Sequence, residues 1–268
     1  MSTLQEKKQR LEDYLRSLGS VAVAFSSGVD STFLLKVAHD VLGDKAIAVT
    51  AAARPFPGRE LAEAEDFCKA EGIEQLVVDF DALSVEGFRQ NPKDRCYHCK
   101  KAVLTLIKEA AAGRGIAYVA EGSNLDDLGD YRPGLIAVAE LEVKSPLRET
   151  GLTKEDIRAL SKELGLPTWD KPSFACLASR FVYGEPITEE KLGMVDKAEQ
   201  RLLDLGFRQM RVRVHDGLAR IEVLPEELPK VVAAAEELNR YFRELGFLYV
   251  TLDLGGYHMG SMNKLLEP

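Results

Sequence analysis

Long apolar runs are absent from this chain of 268 residues. A membrane-spanning helix needs about 18 to 20 consecutive apolar residues, and no segment approaches that length. The N-terminal segment from Ser2 to Arg16 has a charged helical pattern and lacks the apolar centre of a signal peptide. We therefore expect a cytoplasmic protein with no membrane partner.

An excess of positive charge is also missing. The chain carries 35 Lys and Arg residues against 43 Asp and Glu residues, a formal net charge of −8. Proteins that coat nucleic acids are usually basic, so a nucleic acid partner is not expected, although a local patch at Arg208, Arg211 and Arg213 can still bind phosphate. The charge balance favours work on small molecules.

Cysteine is scarce, and its spacing is informative. Of the four cysteines, Cys96 and Cys99 form a Cys-x-x-Cys pair ahead of a predicted helix, which in a cytoplasmic chain favours metal or redox chemistry over a disulfide. With Cys176 they make three thiols, a set that suits an iron–sulfur cluster with one open iron. Zinc held by the three cysteines and His98, a simple redox pair, and unligated thiols are the alternatives. Cys68 is predicted to be a buried core thiol.

Strand-like and helix-like segments alternate along the first two thirds of the chain. Strands are predicted near 20–25, 46–51, 74–79 and 116–120, and helices near 2–18, 31–42, 58–71, 99–112 and 153–164. The alternation predicts an α/β fold, a parallel sheet with helices on both faces, in which ligands bind at the carboxyl ends of the strands.

The pattern changes after Trp169. The later predicted elements are a helix over 189–205, strands over 208–214 and 218–224, a helix over 226–245 and a strand over 247–253. The Asp216-Gly217 pair is a hairpin signal between the first two of these strands. We predict two domains, an α/β domain over 1–183 and a smaller α+β domain over 184–268.

The strongest motif is the segment Phe25-Ser26-Ser27-Gly28-Val29-Asp30-Ser31-Thr32. It lies between an apolar strand and an amphipathic helix, and the N–H groups that begin such a helix can bind phosphate. The lysine of a Walker loop and the three glycines of a Rossmann fingerprint are both missing. The segment resembles the Ser-Gly-Gly-x-Asp-Ser pyrophosphate loop of ATP pyrophosphatases. An ordinary strand-to-helix turn is the alternative.

Charged residues elsewhere suggest further contacts. Arg211 and Arg213 alternate on one predicted strand, so both side chains face one side and can clamp a phosphate. A solvated strand face, or an ion pair with Glu222 across the hairpin, is the alternative. The long polar loop over 121–135 carries Asp126, Asp127 and Asp130, which can contact a nucleotide or cap turns.

Several motifs occur in one order along the chain. They are the pyrophosphate loop, Arg95-Cys96-Tyr97-His98-Cys99-Lys100, Glu121-Gly122-Ser123-Asn124 with Asp126-Asp127 and Asp130-Tyr131-Arg132-Pro133-Gly134, Cys176 with Ser179-Arg180, and Arg211-Val212-Arg213. Together, over residues 20 to 256, they resemble the LarE family of ATP-dependent sulfur transferases, which serve the nickel-pincer nucleotide cofactor of lactate racemase.

This resemblance implies an activity. ATP, with Mg²⁺, adenylylates a carboxylate of pyridinium-3,5-biscarboxylic acid mononucleotide, and sulfur then displaces AMP to leave a thiocarboxylate. The resemblance also implies the residues that do this. Nucleotide-binding residues are Ser26, Ser27, Gly28, Asp30, Ser31, Gly122, Asn124 and Asp126; substrate-binding residues are Arg180, Arg211 and Arg213; catalytic residues are Cys176, Asp30 and Arg180.

The resemblance further implies that Cys96, Cys99 and Cys176 hold a [4Fe-4S] cluster that delivers sulfur from sulfide or a persulfide. Other family members instead sacrifice the sulfur of one cysteine at the position of Cys176. A homo-oligomer is expected from the family. The resemblance implies that 1–183 is an ATP pyrophosphatase domain and that 184–268 binds the substrate and forms the oligomer. Glu199 and Glu222 match acidic positions linked to metal binding, with surface charge as the alternative.

One position departs from the family pattern, and two other functions stay open. Ser27 stands where the loop has its first glycine, so the backbone there must tolerate a side chain. A tRNA thiolase also joins a pyrophosphate loop to a three-cysteine cluster, but the net charge of −8 weighs against it. A non-enzymatic protein that binds ATP or metal without turnover is the other alternative.

Overall fold

The chain divides into two compact units. In the computed structural model, the described residues are 3–52, 58–129, 133–172, 176–258 and 260–262. The first unit comprises Met1–Asp81 and Cys96–Phe174, and the second comprises Ala82–Arg95 and Ala175–Pro268. No helix within the described ranges is both long and apolar enough to cross a membrane.

The first unit is built on a four-stranded parallel sheet. Its strands are β1 (Val21–Ala24), β2 (Ala46–Ala52), β3 (Gln75–Asp79) and β4 (Val119–Ala120), in the order β3-β2-β1-β4. The helices associated with this unit are α1 (Leu4–Leu18), α2 (Val29–Leu42), α3 (Gly58–Glu71), α4 (Arg95–Gly113), α5 (Gly134–Glu140), α6 (Pro146–Glu149) and α7 (Lys154–Glu163). The predicted α/β fold is confirmed. The short helices α5 and α6 were not predicted.

Both faces of this sheet are covered, as the pattern of β1 shows. Val21 and Val23 belong to a core cluster with α2 residues such as Phe33. Ala22 points to the opposite cluster, with the α4 residue Leu104. Because side chains alternate across a strand, a strand apolar at every position is buried on both sides.

The second unit contains a three-stranded mixed sheet. Its elements are α8 (Glu189–Asp204), β5 (Met210–His215), β6 (Leu218–Val223), α9 (Leu228–Ala233), α10 (Ala235–Glu244) and β7 (Tyr249–Leu252). In the order β5-β6-β7, β5 and β6 are antiparallel and β6 and β7 are parallel. The hairpin turn predicted at Asp216 is present, with that residue at φ 53°.

One predicted helix is wrong as a continuous element. The helical pattern over 226–245 is interrupted at Ala234, where ψ is 10° and the chain leaves helical geometry between α9 and α10. Neither glycine nor proline marks this position in the sequence. The buried residues are consequently divided, with Val231 on α9 and Leu238 and Phe242 on α10.

The division into units differs from the sequence prediction at two places. The predicted boundary lies between 183 and 184, whereas residues 82–95 and 176–183 group with the C-terminal part of the chain. Hydrogen bonds explain this assignment. The Asn91 side chain donates to the Val182 carbonyl oxygen at 2.7 Å, and the Gly184 N–H donates to the Asn91 carbonyl oxygen at 2.9 Å.

Candidate functional site

The pyrophosphate loop lies at the carboxyl end of β1 and leads directly into α2. Gly28 is the N-cap of α2 and makes no side-chain cap, and the Thr32 N–H donates to the Gly28 carbonyl oxygen at 2.9 Å. The N–H groups before Thr32 therefore have no partner within the helix. The Ser31 hydroxyl lies 3.2 Å from the Ser26 hydroxyl. Hydroxyl and N–H donors meet at the positive end of the helix dipole, an arrangement that binds phosphate.

Ser27 adopts the backbone conformation that a glycine would otherwise supply. Its φ is 51°, and its side chain is buried. A non-glycine residue in this region costs of order 1–3 kcal/mol, so neighbouring contacts must hold it. The Ser27 hydroxyl donates to the Glu60 carbonyl oxygen at 3.0 Å, and the Lys171 ammonium donates to the Ser27 carbonyl oxygen at 3.0 Å. These contacts hold Ser27 at the position where the family has glycine.

A second segment of the predicted site packs directly on the loop. A Cβ atom at Gly122 would lie 3.1 Å from the Ser31 nitrogen and 3.2 Å from the Asp30 Cβ, so only glycine fits without displacement. Asn124 Nδ2 donates to Asp30 Oδ1 at 3.3 Å. The structure thus brings the Glu121-Gly122-Ser123-Asn124 segment and the pyrophosphate loop together.

Two aspartates of the long polar loop accept backbone N–H groups. The Asp126 carboxylate accepts the Lys154 N–H at 2.8 Å, at the start of α7 and 28 positions away in sequence. The Asp127 carboxylate accepts the Asn124 N–H at 2.9 Å, which is a local turn cap. A nucleotide contact of either residue stays a prediction. Asp130 lies outside the described residues.

A buried carboxylate, Glu121, stabilises the segment that follows β4. Glu121 is 5% exposed and accepts hydrogen bonds of 2.8 Å each from the Lys100 ammonium and from the hydroxyls of Ser123 and Ser145. Burial raises the pKa of a carboxyl group, but the charge of Lys100 and these donors outweigh burial, and the pKa of Glu121 is lowered. Glu121 is therefore ionised, and it ties α4 to the end of β4.

Sequence reasoning missed three lysines that contact these groups: Lys100 on Glu121, Lys154 on Asp30 and Lys171 on Ser27. Their partners are distant in sequence, and no spacing in the chain predicts such pairs. The only local signal is the capping box of Thr153 and Asp156, which marks a helix start at Lys154 without naming its partner.

The three predicted cluster cysteines are divided between the units. Cys96 and Cys99 lie in the first turn of α4, in the first unit, and their i, i+3 spacing puts them on one helix face. Cys176, in the second unit, precedes a short 3₁₀ turn over Leu177–Arg180. No group of three or more His, Cys, Asp or Glu side chains forms a metal site among the described residues. Cys68 is buried, and burial raises the pKa of its thiol to about 12, as expected of a core thiol.

Arg180 forms a fully buried bidentate ion pair with Glu199. Arg180 Nε and Nη2 donate to Glu199 Oε1 and Oε2, both at 2.8 Å. Burial disfavours both charged forms, but the attraction between the two charges outweighs burial. The pKa of Arg180 is therefore raised and the pKa of Glu199 is lowered. Glu199 also accepts the Val212 N–H at 3.0 Å, and Arg180 donates to the Cys176 carbonyl oxygen at 3.2 Å. The pair thereby joins α8, β5 and the Cys176 segment.

The two alternating arginines of β5 are held in the same buried region of the second unit. Arg213 Nε donates to Glu222 Oε2 at 2.9 Å, and the same guanidinium donates to the Ser179 carbonyl oxygen at 3.1 Å. The Arg211 guanidinium lies 5.1 Å from the centre of the Tyr257 ring. Burial, followed by the charge of Arg180, lowers the pKa of Arg211 to about 10.

Burial decides between the alternatives for these charges. Arg211 and Arg213 are 3% and 5% exposed, so the solvated strand face is wrong, while the ion pair with Glu222 is present. Glu199 and Glu222 are both fully buried, so the alternative that they are surface charges is wrong. With Arg180, three buried guanidinium groups accompany two buried carboxylates. The excess of one positive charge suits an anionic ligand.

Known proteins are similar to this chain over most of its length. No family model matches the chain. It is 43% identical to an uncharacterized protein of Synechocystis, over 98% of this chain and 99% of that protein. It is 40% identical to the pyridinium-3,5-bisthiocarboxylic acid mononucleotide synthase of Lactiplantibacillus plantarum, over 99% of this chain and 97% of that protein. It is 27% identical to a glutamine-hydrolyzing GMP synthase component of Thermoplasma volcanium, over 69% of this chain and 64% of that protein.

The sheet, the loop and these relatives define an ATP-dependent enzyme with a pyrophosphate loop. The resemblance that the sequence motifs carried extends over 97% of the curated synthase. The chain belongs to the LarE family, that of the pyridinium-3,5-bisthiocarboxylic acid mononucleotide synthase.

Proposed function

We propose that this protein uses ATP to convert a carboxylate of pyridinium-3,5-biscarboxylic acid mononucleotide into a thiocarboxylate, in the synthesis of a nickel-pincer nucleotide. The observation that carries the proposal is the 40% identity to the curated synthase over 99% of the chain. The start of α2 supports it, because the donors there suit a pyrophosphate group.

The chemistry explains why ATP is needed. A carboxylate is a poor acyl donor, because its leaving group would be oxide. Attack of a carboxylate oxygen on the α-phosphorus of ATP forms an acyl adenylate and releases pyrophosphate. A sulfur nucleophile then attacks the acyl carbon, and AMP leaves with the electron pair of the broken C–O bond. The loop residues Ser26 and Ser31 and the N–H groups of α2 stabilise the negative charge of the departing pyrophosphate.

Asp30 fits the role of a metal ligand, since its carboxylate lies in the loop and Mg²⁺ prefers oxygen donors. Mg²⁺ bound there would neutralise phosphate charge during adenylylation. The buried arginines of the second unit, Arg180, Arg211 and Arg213, bind the phosphate of the mononucleotide. Their excess positive charge supports this role, and the carboxylates of Glu199 and Glu222 hold two of the guanidinium planes in orientation.

The three cysteines Cys96, Cys99 and Cys176 are proposed to hold a [4Fe-4S] cluster. Three thiols fit such a cluster with one iron left open, and the shared helix face of Cys96 and Cys99 is compatible with two adjacent ligands. When bound, the cluster would supply the transferred sulfur. We also propose that the protein works as a homo-oligomer, as expected from its family.

The decisive experiment combines the purified protein, ATP, Mg²⁺, sulfide and the biscarboxylic mononucleotide under exclusion of oxygen. Pyrophosphate release that depends on the mononucleotide, together with a product in which sulfur replaces one oxygen by mass spectrometry, is the expected result. Hydrolysis of ATP without the mononucleotide, or thiolation of tRNA in its place, would contradict the proposal. Omission of ATP is the matched control.

A further inference from the structure

The position of the pyrophosphate loop that needs the freedom of glycine is occupied by serine. The φ of Ser27 is 51°, in the left-handed region that glycine enters at least cost. The φ of Gly28, the next residue, is −78°, which any residue can adopt. A Cβ atom at Gly28 would also meet nothing closer than 3.5 Å. Contacts from outside the loop must therefore hold the backbone at Ser27.

Lys171 contacts the peptide bond that joins these two residues. Its ammonium donates to the Ser27 carbonyl oxygen at 3.0 Å. This peptide bond is trans and planar, so the Gly28 N–H points to the side opposite that carbonyl oxygen. Gly28 is the N-cap of α2, and its N–H is one of the donors that have no partner within the helix. The contact of Lys171 thus sets the direction of a donor in the loop.

The lysine is anchored independently of Ser27. Arg158, on α7, donates to the carbonyl oxygens of Trp169 and Lys171 at 2.7 and 2.8 Å. The Lys171 ammonium also forms an ion pair with Glu63 of α3. The Glu63 side chain is 49% exposed, so solvent screens this pair, whereas the Lys171 side chain is only 17% exposed. The chain that carries the lysine is therefore held beside the loop by contacts of its own.

We propose that Lys171 is a positioning residue of the pyrophosphate loop, which it holds in a conformation that serine disfavours at position 27. Without the ammonium, Ser27 can relax to negative φ, the peptide turns, and the Gly28 N–H no longer points to the nucleotide. In this role the lysine acts on the backbone and does not itself bind phosphate. The inference rests on the ATP use of the proposed function.

A direct contact of Lys171 with phosphate and a purely structural contact are the competing explanations. Glycine adopts positive φ without penalty, so the loop of the Ser27→Gly protein should keep its conformation without the lysine. The effect of Lys171→Met should therefore depend on the residue at position 27 only if the lysine acts through the backbone. Glu63→Gln is the matched control, because it removes the other ion pair of Lys171 and keeps the contact with Ser27.

The test measures equilibrium binding of Mg·ATP and of inorganic pyrophosphate to the full-length protein, with a thermal unfolding curve for each variant. Lys171→Met should weaken both about tenfold or more, the usual effect of a lost hydrogen bond to a charged group. In the Ser27→Gly protein, the same substitution should weaken them by no more than about two- to threefold. Glu63→Gln should bind both as the wild type does.

A second measurement needs no nucleotide. Amide hydrogen exchange over residues 25–32 should become faster in Lys171→Met, because the loop then leaves its native conformation more often. It should not become faster in Glu63→Gln. If Lys171→Met does not fold, Lys171→Gln takes its place in both backgrounds, because its amide keeps the bulk of the side chain and is a weaker, neutral donor.

Two results would overturn the inference. An equal loss of binding in the wild-type and Ser27→Gly backgrounds would make Lys171 a direct phosphate ligand. Unchanged binding and unchanged hydrogen exchange in Lys171→Met would leave the lysine a structural contact. If the wild-type protein itself bound neither ATP nor pyrophosphate, the proposed function would fail, and the hydrogen exchange comparison would still decide whether Lys171 holds the loop.

Discussion

The close approach of Gly122 to the pyrophosphate loop makes Gly122→Ala a stringent probe of the nucleotide site. The added methyl would lie 3.2 Å from the Asp30 Cβ, whereas carbon atoms prefer about 3.5–4.0 Å. One of the two segments must therefore retreat by about 0.3–0.8 Å. The methyl would also lie 3.1 Å from the Ser31 nitrogen, a donor that the helix itself does not use.

The magnitude follows from these contacts. Overpacking of this kind lowers the free energy of unfolding by about 1–3 kcal/mol. Each kcal/mol lowers Tm by about 2–4 °C in chains of this size. Nucleotide binding should suffer more than stability, because the methyl would crowd the Ser31 N–H, a donor proposed to bind phosphate. We expect ATP affinity to fall about tenfold or more, equivalent to about 1.4 kcal/mol.

The assay is calorimetric titration with Mg·ATP, paired with a thermal unfolding curve. Gly193→Ala is the control: Gly193 lies within α8, its added Cβ meets nothing within 4 Å, and alanine should stabilise that helix by about 0.5–1 kcal/mol. Wild-type ATP affinity in Gly122→Ala would refute the reasoning, because it would show that phosphate does not approach Ser31 from the Gly122 side.

Three further predictions concern the other groups. Replacement of any predicted cluster cysteine by Ala should abolish visible absorption and sulfur transfer in protein purified without oxygen, while adenylylation persists. The control Cys68→Ala should change neither the absorption nor the sulfur transfer. Dehydroalanine at Cys176 after one turnover, detected by mass spectrometry, would establish sacrificial sulfur transfer instead. Arg213→Lys should weaken mononucleotide binding about tenfold or more without affecting ATP, because lysine cannot reproduce the planar fork; equal substrate titrations would remove this arginine from the site. Because the pKa of Glu121 is lowered on folding, its ionised form stabilises the protein above about pH 4–5, and that contribution is lost as the pH falls further. The Tm of Glu121→Gln should therefore fall less than the Tm of the wild type between neutral and acidic pH. A pH profile of Tm equal to that of the wild type would contradict this.

Much of the first unit was predictable because its signals are local. Continuous apolar character marked β1 as a strand buried on both faces, and the change to helical periodicity after Gly28 located α2 and the loop between them. The order of short motifs was sufficient to indicate the family, which the full-length relatives confirm. Periodicity also located α8, which has one buried face, and the apolar β-branched residues located β5 and β6.

Only the tertiary structure decided which charged side chains contact each other. Lys154 reaches Asp30 across 124 positions because α7 packs beside α2, and Glu121 meets Ser145 because two chain segments converge at the end of β4. The burial of Glu199 likewise depends on the packing of α8 against β5. A sequence pattern records the spacing of polar and apolar residues along one element, whereas the free energy of an ion pair depends on distance and burial between elements. The sequence by itself therefore determined most of the helices and strands, the loop and the family, and only the folded chain decided the partners of its charged side chains.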